Sequence, residues 1–175
     1  MDTLLEMVQE NDLKPDEVRE IRLRAGSNIL EPLRYEQPRT ELQAKFSLQF
    51  GLSSILLRRR AGLREFNTEF VNSPGVRETM MKVRTMLDPE IEKMGADRMR
   101  SIVEVELNSG ITYSRFADTA RGTPEKPLKE TELEEKFRDC AEMAVYSGDI
   151  KELLNSIRHI EELTSVKRLM ESLGK

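Results

Sequence analysis

The chain has 175 residues, with 28 Lys and Arg against 32 Asp and Glu for a formal net charge of -4, and it is 38% hydrophobic and 34% charged. That length supports one substantial core, and that balance describes a soluble globular protein rather than a disordered one. The acidic balance argues against a general nucleic-acid binder, 5% aromatics without tryptophan argue against a base-stacking surface, and the single cysteine, Cys140, excludes an internal disulfide and a self-sufficient zinc site.

The first segment, MDTLLEMVQEN, is acidic where a signal peptide needs a basic region and a long apolar run. No later run reaches membrane-spanning length, so a cytoplasmic, unanchored protein is expected. Leu4, Leu5, Met7 and Val8 predict a short amphipathic helix, broken over Asn11 to Pro15. In EVREIRLRAG, Val18, Ile21 and Leu23 alternate imperfectly with charged residues, which predicts a strand with one wet face. Gly26, Pro32 and Pro38 mark an irregular connection.

The stretch from Arg39 to Arg60, RTELQAKFSLQFGLSSILLRRR, predicts one long buried helix, opened by Thr40 with Gln43 and closed by Arg58, Arg59, Arg60 and Gly62. Lys45 is the one formally charged residue between Glu41 and Arg58. Leu42, Phe46, Phe50 and Leu57 fall near helical spacing on one side, and Lys45, Gln49 and Ser53 make a polar stripe on another. An ammonium against an apolar helix costs free energy unless an anion meets it, so the stripe points to a carboxylate from the fold or from a ligand. The ordinary alternative is a lysine that snorkels to water, and Ser47 alone is most simply a helix hydroxyl bonded to a preceding carbonyl.

Asn72, Ser73 and Pro74 open a helix, SPGVRETMMKV, with Val76, Met80 and Val83 on one side, and a short strand comes after it near 82–87. Val103, Val105 and Leu107 alternate with Glu104 and Glu106, and Asn108, Ser109 and Gly110 turn the chain into ITYSRFA, which predicts a hairpin with one core face. The loop RGTPEKPLK then leads to a helical tail. Thr131 with Glu134 starts its first helix, striped by Leu133, Phe137, Cys140 and Ala144, with surface pairs Glu132–Lys136 and Glu134–Arg138. Asp149 with Glu152 starts the second, bearing Ile150, Leu153, Leu154 and Ile157, and Thr164 or Ser165 the third, bearing Val166, Leu169, Met170 and Leu173. The fold class expected is α+β: a small antiparallel sheet packed with helices over residues 1–126, then a helical appendage over 127–175 that needs a surface to lie on.

Other chemistry-bearing residues read as structural. His159, the only histidine, lies among Arg158, Ile160 and Glu161, with no serine, cysteine or acid placed to form a dyad. The arginines 58–60 neutralise a helix end, Glu90, Glu92, Glu104 and Glu106 occupy loop or outward strand positions, and Arg115 and Arg121 are ordinary surface cations. GTPEKP lacks the glycine pattern of a phosphate loop.

QAKFSLQF with its small-residue helix, SPGVRETMMKV, the hairpin around VEVELNSG and GTPEKPLKETELEEKF stand in an order and spacing that resemble the C-terminal portion of the MmgE/PrpD family, the 2-methylcitrate dehydratase group. The match runs from about Leu13 to the end. The resemblance implies an N-terminal helical domain, then an α+β lid where this chain begins, then helices that return to the first domain. It implies cofactor-independent chemistry beside a carboxylate, without a metal, in a cytoplasmic homodimer. Lys45 and Ser47, with Gln49 a weaker candidate, are then substrate-carboxylate contacts, while the histidines and aspartate that move protons belong to the helical domain. No catalytic residue is assignable here, so the chain alone is expected to be inactive, as a fragment or as one subunit of a split enzyme. The family's decarboxylase branch is associated with a histidine at the position of Phe46 and a tyrosine near Leu87, so dehydration or isomerisation of a polycarboxylate is the expected reaction. The rival reading is a noncatalytic binding or oligomerisation module.

Overall fold

The computed structural model describes residues 1–173, and the chain divides into two compact units, Met1–Pro127 and Leu128–Lys175. In the first unit, helix α1 (Asp2–Glu10) buries Leu4, Met7 and Val8 and ends at Asn11. Strand β1 (Val18–Ala25) comes next, then a crossover of short helices: α2 (Ser27–Leu30), α3 (Glu41–Lys45), α4 (Leu48–Arg58), α5 (Thr68–Val71) and α6 (Pro74–Met81). Strand β2 (Val83–Leu87), helix α7 (Pro89–Lys93), and strands β3 (Ser101–Leu107) and β4 (Thr112–Ala117) complete the unit. The four strands form one sheet in the order β2-β1-β3-β4.

The α+β class expected from the sequence is the architecture seen. The sheet is mixed rather than wholly antiparallel: β1 pairs antiparallel with β3, and β3 with β4, but β2 runs parallel to β1, with Ile21 opposite Val83 and Ala25 opposite Leu87. A parallel pair needs a crossover, and helices α2 to α6 are that crossover. The imperfect alternation of β1 has a local cause, because a register shift between Val18 and Glu20 lets Val18 and Ile21, three apart, both face the core. Gly110 closes the β3–β4 turn at φ +87°, a left-handed conformation that disfavours L side chains.

Ile21, Leu23, Ala25, Val103 and Val105 cover one face of the sheet, and α1 and α4 pack on it. The opposite face carries ion pairs: Arg22 bonds Glu20 and Glu106 at 2.9 Å and Glu104 at 3.3 Å, and these carboxylates raise the Arg22 pKa, those of Glu106 and Glu104 most. Such half-exposed pairs add little stability singly, but they keep the wet face of β1 in register. Lys82, at the entry to β2, donates to the carbonyls of Pro15 and Val18, both at 2.9 Å, and so fixes the start of β1.

The expected long helix over 39–60 is two helices, because the chain breaks at Phe46 and Ser47. Asp12 and Arg59, both left-handed non-glycine residues, close α1 and α4 and are ion-paired to each other. Lys14, 2.7 Å away, and then Arg59 hold the Asp12 carboxyl down at about 2. A depressed native pKa stabilises above the unfolded carboxylate range and is lost as pH falls toward 2. Asp12→Asn is therefore expected to flatten the dependence of melting temperature on pH between about 5 and 2; an unchanged slope in scans across that range would remove Asp12 from the acid response.

The second unit contains α8 (Glu130–Met143), α9 (Ile150–Arg158), a 3-10 turn over Ile160–Glu162, and α10 (Lys167–Leu173). The start of α8 falls earlier than Thr131 with Glu134 would place it: Lys129 is its N-cap, and the Glu132 carboxylate accepts the Lys129 N–H at 2.7 Å. Glu134 pairs with Arg158 of α9, which differs from the expected local pair with Arg138. Asp149 caps α9 as expected, accepting N–H groups of Lys151 and Glu152 at 2.7 and 3.2 Å. Helix α8 buries no residue within the described chain; Leu133 and Met143 are exposed.

Candidate functional site

Helix α3 carries Lys45, and its ends are fixed from several sides. At its entry Thr40 Oγ1 accepts the Gln43 N–H at 3.3 Å, while Gln43 Oε1 accepts the Arg39 N–H at 2.8 Å. Arg77 of α6 donates to the Pro38 carbonyl at 2.8 Å and Asn72 to the Arg39 carbonyl at 2.9 Å. Five residues are too few to hold a helix by propensity alone, so these bonds do so.

At its exit Phe46 leaves helical geometry and Ser47 is extended. The Tyr35 N–H donates to the Phe46 carbonyl at 3.1 Å, and Arg34 forms an isolated antiparallel bridge with Ser47. Ser47 Oγ then accepts the Phe50 N–H at 3.1 Å and starts α4. The break separates the expected stripe into two environments. Lys45 is exposed, and among the described residues it has no hydrogen-bond or ion-pair partner. Ser47, Gln49 and Ser53 are buried at 6, 5 and 0% exposure. Gln49 Nε2 donates to Thr85 Oγ1 at 3.4 Å, which ties the first turn of α4 to β2.

Phe46, in line with Phe50 on a continuous helix, is instead 44% exposed, and Leu42 beside it is 66% exposed. Leu87, at the end of β2, is also exposed. The structure therefore ties α4, just beyond Lys45, to β2 and leaves an exposed ammonium in sequence between the uncovered apolar side chains of Leu42 and Phe46. Such a group can take a carboxylate, and the attraction strengthens if a covering surface excludes water. Thr85 belongs to no motif in the sequence, and its inward parity with Val83 along β2 is the one signal that could have found it.

The remaining chemistry-bearing residues are engaged elsewhere. Arg58 lies over the Phe70 ring at 5.4 Å, Arg59 pairs with Asp12, and Arg60 Nε lies 3.6 Å from Glu65. Glu90 pairs with Lys93, Glu92 accepts both the N–H and hydroxyl of Ser27 at 2.7 Å, and Glu106 also pairs with Arg19. His159 is a half-exposed C-cap of α9, 3.5 Å from Glu162. Among the described residues no group of three or more His, Cys, Asp or Glu is placed to hold a metal, and no helix is long and apolar enough to cross a membrane.

A cavity of about 480 Å³ lies elsewhere in the first unit, floored by Leu23, Ile29, Leu33 and Leu48 and rimmed by Glu6, Arg115 and Lys126. Its rim charges satisfy one another: Lys126 bonds Glu6 at 2.7 Å and Arg115 bonds Glu6 at 3.2 Å and Glu10 at 2.5 Å. Lys126 and then Arg115 hold the Glu6 carboxyl below its usual range. Lys45, Ser47 and Gln49 do not line this cavity.

Two curated relatives are similar to this chain. The cis-aconitate decarboxylases of Mus musculus and Homo sapiens are 28% and 29% identical to it over 126 residues, 72% of this chain and 26% of each relative. The chain thus spans about a quarter of the length of the curated relatives it matches. The family description that covers it, over residues 1–161, is the MmgE/PrpD C-terminal domain. With that match across most of its length, the chain belongs to the MmgE/PrpD family and corresponds to its C-terminal domain.

Proposed function

We propose that this chain is the carboxylate-binding lid of a cofactor-independent lyase or isomerase acting on a polycarboxylate such as 2-methylcitrate, and that a helical domain beneath it supplies the acid and base. The observation that carries this reading is Lys45, an exposed cation without a partner among the described residues, on a segment otherwise uncharged from Leu42 to Leu57. In the assembled enzyme a base on the helical domain removes the proton beside a substrate carboxylate. Negative charge then builds on the carboxylate oxygens, and Lys45 neutralises it. A protonated acid on the same domain delivers its proton to the leaving hydroxyl, so that water departs and the double bond forms. Ser47 Oγ accepts from Phe50, which leaves its own O–H to donate to the substrate, and Gln49, a weaker candidate as a contact, supports the same turn through its bond to Thr85.

Phe46, where the decarboxylase branch is associated with a histidine, favours dehydration or isomerisation. The names of the curated relatives support decarboxylation of cis-aconitate as the second reading. On this reading the enzyme works as a cytoplasmic homodimer whose partners are its polycarboxylate and the helical domain, not nucleic acid or membrane. The test combines this chain with a family helical domain, fused or as a separate polypeptide, and follows water loss from 2-methylcitrate and carbon dioxide release from cis-aconitate. Turnover is expected only from the combination. Turnover by this chain alone, or a tight self-associated particle that binds no tricarboxylate and stays silent with every helical domain, would overturn the proposal in favour of a noncatalytic module.

A further inference from the structure

We propose that Thr85 is a positioning residue for Lys45, acting through Gln49; this rests on the reading of Lys45 as a carboxylate contact. Lys45 is the last residue of a five-residue helix whose entry is held by Thr40, Asn72 and Arg77, and it precedes a break, so the exit of that helix depends on the chain beyond the break. The direction of the ammonium is therefore set by the anchoring of the chain just beyond the break. The Phe46 carbonyl is held by the Tyr35 N–H, Ser47 is bridged to Arg34, Leu48 and Phe50 pack in the core, and the side-chain hydrogen bond that carries the first turn of α4 to β2 runs from Gln49 Nε2 to Thr85 Oγ1. Gln49 is 5% exposed, and Thr85 is the one hydrogen-bond partner of its carboxamide among the described residues. Thr85 lies on β2, paired with Leu23 of β1, so the bond references the turn after Lys45 to the sheet. On this account Gln49 faces the sheet and serves the site indirectly, and the strand that completes the sheet beside β1 also sets the height of the cation.

The experiment compares Thr85→Val, which keeps the shape and removes the acceptor, with Thr85→Ser, which restores it, and with Gln49→Met, which removes the donor. Amide hydrogen exchange on the whole chain is expected to rise about tenfold at Lys45 through Gly51 in Thr85→Val, with the amides of β1 and β3 unchanged. Thr85→Ser should return the wild-type pattern. Gln49→Met should match Thr85→Val, and the double variant should add nothing further. In the assembled enzyme Thr85→Val should lower kcat/KM about tenfold with part of the loss in kcat, because a misplaced ammonium neutralises less of the charge that builds in the transition state. Exchange that is unchanged, or that rises uniformly with a lower melting temperature, would overturn the positioning role. An assembled wild-type enzyme that is silent would defeat the proposed function instead, while the exchange comparison still decides whether Thr85 orders the turn.

Discussion

Replacing Phe50 with alanine is expected to lower the unfolding free energy by about 3–5 kcal/mol, whereas Phe46→Ala stays within about 0.5 kcal/mol. Phe50 is fully buried among Ala44, Val71, Val76 and Met80, and its ring meets those of Phe66 and Phe70 edge-on at 5.1 and 6.1 Å. Truncation removes the buried area and both ring contacts, and leaves a cavity that surrounding helices fill only in part. Phe46, one helical turn earlier, loses little because it is already wet. Since domains are stable by only about 5–15 kcal/mol, the first change consumes a large share of that margin and the second does not. Chemical denaturation of both variants checks the contrast. Equal losses would mean that residues 41–58 form one uninterrupted helix with a common buried side, contrary to the break at Ser47.

Lys45→Ala is expected to lower kcat/KM of the assembled enzyme about 10- to 100-fold, the size of a lost hydrogen bond between a charged donor and a carboxylate. The chain's own stability should hardly move, within about 0.5 kcal/mol, because Lys45 is exposed and has no partner within the described chain to abandon. Lys45→Arg should recover part of the loss, since charge survives while geometry changes. Steady-state kinetics with 2-methylcitrate, paired with a melting curve, separates the two effects. Unaltered kcat/KM in Lys45→Ala would strip this residue of its role.

Much of the fold was legible because local chemistry and tertiary context agree. Val103, Val105 and the Asn108–Gly110 turn specify a hairpin unaided, and Asp149 specifies the start of α9. The break at Phe46–Ser47 was hidden because Glu41 to Phe50 contains neither glycine nor proline, and position 50 offers no Glu or Gln to complete a capping box with Ser47. Its cause is tertiary: Tyr35 bonding the Phe46 carbonyl from a segment upstream. The parallel placement of β2 escaped for a similar reason, since a five-residue strand carries no mark of its neighbour's direction. At the candidate site, Lys45 was found from its isolation in an uncharged run. The separation of Lys45 from Gln49 and Ser53 arises from the break, and no helical stripe could show it.

The central place of β1 has a consequence for biosynthesis. Both of its neighbours are encoded downstream, so a nascent chain that has released α4 already owns the layer meant to cover the sheet, yet its middle strand waits unpaired. Pairing with β2 satisfies one flank, and the other stays open until Ser101–Leu107 leaves the ribosome. During that interval Arg19, Arg22 and Arg24 outnumber Glu20 on the bare ribbon, and the net positive charge, not yet met by Glu104 and Glu106, repels an identical ribbon on a neighbouring polysome. The arginines thus guard the strand before the carboxylates of β3 exist, and become part of the finished sheet once these arrive.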